Sequence, residues 1–156
     1  MVKKQKVIPL IADTYLAVIK NSLGSKMFRN LYAKVDGKKE DITRNGELSC
    51  AFYVSSILAL SKQIKEIHVT VDSTVKDLKK SGWKISQKPK VGSVLVWEKV
   101  NFGNNDVHKH IGFYIGDRKA VSNNYQCGYP VKHNWIFTNR KIEMILWNPK
   151  LKFTKN

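Results

Sequence analysis

The sequence predicts an α+β domain in which N-terminal helices precede an antiparallel sheet. Three observations carry this. The segment from Ser49 to Leu60 is apolar on nearly every side, the pattern of a buried central helix. After Trp83 the chain turns to short runs rich in Val, Ile, Trp and Tyr, separated by Gly, Pro and Asn. Strands and helices do not alternate as a parallel sheet requires. A length of 156 residues suits one domain, 1–156, around one hydrophobic core.

Taken in order, Pro9 suits the first turn of a helix running to about Lys20, with Leu10, Tyr15 or Ala17, and Val18 on its apolar stripe. Gly24 breaks the chain, and Ser25 to Tyr32 is expected to form a short second helix. Asp36 to Asp41 and Asn45-Gly46 read as turns. Ser49 is the expected N-cap of the buried helix, so Cys50 falls in its first turn. A further helix is expected over Thr74 to Lys80, capped by Asp72 or Ser73 and ended by Gly82. Strands are expected over Val94–Trp97, His110–Ile115, Lys119–Asn123, Val131–Phe137 and Ile142–Trp147.

Composition bounds the function. Apolar residues make up 42% and charged residues 26%, an ordinary globular balance. The net charge is +16, spread along the chain and almost all lysine; arginine occurs only at Arg29, Arg44, Arg118 and Arg140. Such a surface attracts a polyanion through diffuse charge, without the planar fork of arginine that reads bases and phosphates. No apolar stretch reaches the roughly 20 residues that cross a bilayer. The segment Val7 to Ile19 follows a basic start at Lys3, Lys4 and Lys6, as a secretory signal would. Asp13 inside it and the lack of a small-residue cleavage pattern point instead to an amphipathic helix. The compartment is therefore left open: synthesis is expected in the cytoplasm, and an extracellular substrate would need export outside the Sec route. A monomer is expected.

The chemistry centres on Cys50. A thiol becomes a strong nucleophile when it ionises, and a helix N-terminus favours the thiolate. The same unpaired N–H groups can hold an oxyanion. Taken alone, Cys50 reads more readily as a small apolar residue of a buried helix. His110, at the start of a predicted strand, supplies the base that a cysteine nucleophile needs. If Gly116-Asp117 is a two-residue turn, Ile115 pairs with Arg118 and His110 lies opposite Asn123, which then orients the ring. Another turn length brings Ser122 or Asn124 to that place. Asp106, His108 and His110 alternate, which is also a metal-ligand spacing, but no second Cys/His pair stands beside them. His68 and His133 read as isolated, satisfied histidines. Trp97, Tyr125, Trp135 and Phe137 read as core packing or as cleft lining. Cys127 is available for a bridge to Cys50.

The runs Ser49-Cys50-Ala51-Phe52-Tyr53-Val54, Lys90-Val91-Gly92-Ser93-Val94-Leu95-Val96-Trp97 and His110-Ile111-Gly112-Phe113-Tyr114-Ile115-Gly116 resemble, in order and spacing, those of NlpC-like and CHAP-like peptidases. The resemblance covers roughly Arg44 to Asn124. It implies a papain-like fold with the nucleophile at the start of a central helix and the base on a sheet strand. It also implies cleavage of a peptide or amide bond in peptidoglycan. The departures are Ser49 where that family commonly has Asp, Ser93 where it usually has Asp, and Ser122 where its third polar residue stands. Asn123, after a small register change, is the preferred third member over Ser122.

The expected function is thus a cysteine peptidase or amidase acting through Cys50, His110 and Asn123 or Ser122. Ser49, Trp97 and Tyr125 border the substrate, and neither metal nor cofactor is called for. Peptidoglycan or another anionic wall polymer is the expected partner. Two rivals use the same features: a nucleic-acid-binding module that exploits the charge, and an inactive wall-binding domain of the same fold.

Overall fold

Helix α1 (Ile11–Asn21) opens the computed structural model, which describes residues 4–101, 103 and 105–155. Lys3 of the basic start lies outside the described residues. Pro9 precedes α1 rather than entering it, with Leu10 as the N-cap residue. Ala12, Tyr15 and Ile19, spaced for one helical face, carry its buried side. The Tyr15 hydroxyl donates to the Gly92 carbonyl at 2.9 Å, tying α1 to the entry of the sheet.

The expected helix over Ser25 to Tyr32 is absent. That segment is a series of turns leading into a hairpin of β1 (Tyr32–Val35) and β2 (Lys38–Asp41). Only Asp36 and Gly37 form the turn, both at positive φ (47° and 82°), which matches the twist of paired strands. The sequence hid β2 because Lys38-Lys39-Glu40-Asp41 is wholly charged and largely exposed. The Asp41 carboxylate outcompetes a helix here. It accepts from the amides of Leu31 (3.1 Å), Thr43 (3.2 Å) and Asn45 (2.8 Å), and from the Asn30 side chain (2.6 Å).

Helix α2 (Cys50–Leu60) begins where predicted, with Ser49 at the N-cap position. Ser49 caps nothing through its side chain, whose hydroxyl reaches the Arg29 carbonyl at 3.4 Å. Helix α3 (Val71–Lys80) starts three residues earlier than predicted, because Thr70 is the cap and accepts from the Ser73 amide.

The remaining strands are β3 (Lys84–Ile85), β4 (Val94–Asn101), β5 (Val107–Gly116), β6 (Lys119–Asn124), β7 (Tyr129–Asn134) and β8 (Ile142–Trp147). They pair antiparallel throughout in the order β3-β8-β4-β5-β6-β7. The fold is α+β, as predicted. Strands β4, β5 and β6 run longer than predicted, β8 keeps its predicted bounds, and β7 starts at Tyr129 and stops at Asn134, which leaves Trp135 to Phe137 outside it.

Alternation along β4 shows why the sheet has two apolar faces. Val94 and Val96 face the helices, in a core with Tyr53, Ile57, Leu58, Ile111, Phe113 and Val121. Leu95 and Trp97 face away, in a second cluster with Ala120 and Ile145, covered by Trp135 and Phe137. Among the described residues no helix is long and apolar enough to cross a membrane.

The β5–β6 hairpin departs from prediction by one residue. Its turn is Asp117-Arg118, both at positive φ (49° and 59°), closed by Gly116 opposite Lys119. A bulge between Tyr114 and Gly116 then shifts the register, so Gly112 lies opposite Ser122. His110 and Gly112 share a face, so Ser122 joins that face and Asn123 turns to the other.

Candidate active site

A cleft of about 880 Å3 separates the start of α2 from the ends of β4, β5, β6 and β7. Its lining includes Cys50, His110, Ser122, His133, Phe137 and Arg140. Two close approaches hold its walls in place. A Cβ on Gly46 would lie 2.5 Å from the Gly128 Cα, so the turn before α2 sits directly on the β6–β7 turn. Asn123 clamps the same junction, its Nδ2 donating to the Gly46 carbonyl at 2.7 Å.

Cys50 sits half-buried in the first turn of α2, where backbone N–H groups lack helical partners. Burial raises its thiol above the ordinary value. The amides of Ala51 and Ile111, the Arg140 charge and its own amide favour the thiolate without cancelling that effect. The expectation that the helix terminus would lower this thiol is therefore corrected: desolvation outweighs it. The Ile111 amide that acts on the sulfur belongs to the residue after His110, and Cys50 and His110 both line the cleft. Cys127 is a free thiol, as is Cys50, so the two form no bridge.

His110 lies over Trp97, its cross-strand partner, with ring centroids 5.3 Å apart. Its Nε2 is 2.8 Å from the Ser122 hydroxyl, and that oxygen is 2.7 Å from Nε2 of His133. Nδ1 of His133 is 2.7 Å from the Asn134 carbonyl. Carbonyl oxygens only accept, so the direction of the whole chain follows. His133 donates from Nδ1, which leaves its Nε2 as an acceptor for the Ser122 hydroxyl. The Ser122 oxygen then accepts from Nε2–H of His110. Nδ1 of His110 is left unprotonated, the tautomer that can receive a proton from a thiol.

This assignment needs both rings neutral. Burial, the Arg140 charge and His133 push the His110 imidazole down to about 3. Burial also lowers His133, against the Asn134 carbonyl that favours its cation. At neutral pH the Cys50 thiol and the His110 imidazole are thus both uncharged.

The sign of the pH effect follows. In the unfolded chain a histidine binds its proton near 6.5, whereas folded His110 does so near 3. Between those values the unfolded state holds more protons, so stability falls as pH drops through that window. Urea midpoints measured from pH 7 to 4 are expected to decline more steeply for the parent chain than for His110→Gln. Parallel curves for the two would contradict the buried neutral imidazole.

The placement of the other candidates is mixed. Ser122 stands behind His110, and Asn123, the preferred third member, does not. Ser49 and Trp97 are fully buried and lie behind the cleft rather than along it. Tyr125 lines the cleft and is half exposed. Asp106 and His108 hydrogen-bond to each other, with Arg44 on the Asp106 carboxylate at 3.4 Å. Among the described residues no three of His, Cys, Asp and Glu converge as metal ligands.

Sequence reasoning missed His133 and Arg140. His133 joins only through the β6–β7 register, which places it opposite Ala120 on the face of Ser122. The one available signal for Arg140 was its rarity, an arginine in a chain whose cations are nearly all lysine. Scans against family models and against curated proteins returned no match.

Proposed function

We propose that this chain is a papain-like cysteine hydrolase that cuts a peptide or amide bond, with peptidoglycan as its substrate. The observation that carries the reading is the hydrogen-bonded chain from His110 through Ser122 and His133 to the Asn134 carbonyl, in a cleft that Cys50 also lines. A general base held in one tautomer next to a nucleophile is the arrangement that acyl transfer requires. Peptidoglycan rests on the family resemblance of the three sequence runs and on the +16 charge, which attracts an anionic wall.

The reaction starts from the uncharged pair. As Cys50 sulfur attacks the substrate carbonyl, its proton passes to Nδ1 of His110. The resulting oxyanion lies against the free N–H groups at the start of α2. His110 then gives that proton to the departing amine, leaving a thioester on Cys50. Water attacks the thioester with His110 as base, releasing the acid and restoring the thiol. Throughout, Ser122 and His133 keep Nε2–H of His110 engaged and its ring in place.

Intact-protein mass spectrometry of acid-quenched reactions tests the scheme. Incubation with a synthetic stem peptide of peptidoglycan is expected to yield an adduct on Cys50 equal in mass to the acyl half. Peptide that stays intact, with Cys50 unmodified, refutes the hydrolase reading. Tight, salt-sensitive binding of single-stranded DNA by that same inactive protein would then favour the nucleic-acid reading.

A further inference from the structure

The surface where α1 begins carries apolar side chains that neither the core nor a helix cap uses. Val7 is 81% exposed, Ile8 65%, Leu10 53% and Ile11 49%. Leu10 holds the N-cap position of α1, where a Ser or Asp side chain would bond the first turn and an aliphatic one does nothing. Aliphatic side chains bared side by side carry a hydration cost that burial against a partner removes.

Beside them lies a cavity of about 530 Å3, whose lining includes Leu10, Ile11 and the exposed lysines Lys62, Lys65, Lys150 and Lys152. These lysines come from the turns after α2 and from the segment after β8, so only the fold gathers them. None forms an ion pair with a described residue. The nearby carboxylates are already engaged. Asp13 accepts from the amide and hydroxyl of Thr154 at 3.3 and 3.0 Å. Asp77 pairs with His68 at 2.7 Å and accepts from Ser81 at 3.1 Å. That leaves Glu66, next to Lys65, against the four cations.

We propose that this face docks on an anionic lipid surface. Val7, Ile8, Leu10 and Ile11 enter the headgroup boundary, while Lys62, Lys65, Lys150 and Lys152 meet the lipid phosphates. Compact, hydrated ammonium groups suit a field of mobile headgroups, and aliphatic side chains suit the acyl boundary beneath it. Nucleic acid would call instead for aromatic platforms and arginine, and the cavity lining has neither. The inference stands apart from the hydrolase reading. Helix α2 separates the two places: Cys50 opens it, Lys62 follows its last turn, and its 11 residues span about 16 Å. A docked chain therefore keeps the cleft at the end of α2 away from the lipid.

Vesicle sedimentation of the full chain at about 0.15 M salt tests this. Vesicles of phosphatidylcholine mixed equally with phosphatidylglycerol are expected to carry the protein down, and vesicles of phosphatidylcholine alone to leave it in solution. The triple variant Val7→Ser, Ile8→Ser, Leu10→Ser is expected to bind the anionic vesicles about tenfold more weakly. Its Tm should hold, since all three side chains are exposed, and so should its binding of soluble polyphosphate. Changing Lys62, Lys65, Lys150 and Lys152 to Gln is expected to cost about tenfold or more. Changing the exposed Lys34, Lys38, Lys39 and Lys119 to Gln removes the same charge and should cost no more than about threefold. No sedimentation with anionic vesicles, a serine variant that binds like the parent, or equal losses from the two lysine sets overturns the proposal. Single-stranded DNA held more tightly than the vesicles, through the same four lysines, overturns it in favour of a nucleic-acid face.

Discussion

Cys50→Ala is expected to lower hydrolysis of purified peptidoglycan by roughly ten-thousand-fold, the scale of removing a nucleophile from a unit that works as one. The fold should survive, because the side chain is half-buried and shrinks by a single atom. His110→Gln removes the proton acceptor and is expected to cost between about 100-fold and 10,000-fold. Combining the two should cost little more than the larger single change, since neither group acts without the other. Ser122→Ala and His133→Gln leave nucleophile and base in place and free only the tautomer. For these the loss should fall mainly on kcat, with KM nearly unchanged. Full activity in Cys50→Ala, measured as release of soluble fragments, would end the mechanism.

Gly112→Ala is expected to damage stability and site together. A Cβ at Gly112 would lie 2.7 Å from the Ser122 Cβ, 2.8 Å from the Val121 carbonyl oxygen and 3.1 Å from the Trp97 ring. Two of these neighbours cannot yield cheaply, being a strand backbone and a ring that is wholly enclosed. Overpacking of this kind costs about 1–3 kcal/mol. For a domain of this size that lowers Tm by roughly 3–10 °C. The displaced Ser122 no longer meets His110, so Nε2 loses its acceptor. Imidazole 15N NMR should then show His110 as a mixture of tautomers, where the parent chain shows Nε2–H alone. An alanine variant with the parent Tm and one tautomer would mean that β5 and β6 are looser than their register implies.

Gly112 also shows where sequence and structure part. Its place two residues after His110 was visible in the pattern His-x-Gly, but the reason lies across the hairpin, in the space Ser122 occupies. The turn was read one residue early because Gly116-Asp117 is a sound turn pair by itself. Gly116, at φ 93°, instead closes the strand, and the bulge beside it absorbs one residue. Since side chains alternate with period two, that single residue moved Asn123 off the His110 face and brought Ser122 onto it.

Much of the architecture follows from local order. Apolar residues all round Ala51 to Leu58 can only be satisfied in the interior, so α2 and the position of Cys50 at its start were set by the chain alone. The same holds for β8, whose bounds agree with prediction. Three things required the folded chain. His133 and Arg140 come from later segments, and no local pattern connects them to Cys50 or His110. The charged strand β2 exists because Tyr32 to Val35 offers it a ladder, whatever its own composition suggests. The protonation of the site was decided by burial. A helix terminus acts over one turn and is known from sequence, whereas desolvation depends on every neighbour that displaces water, and that is a property of the tertiary structure.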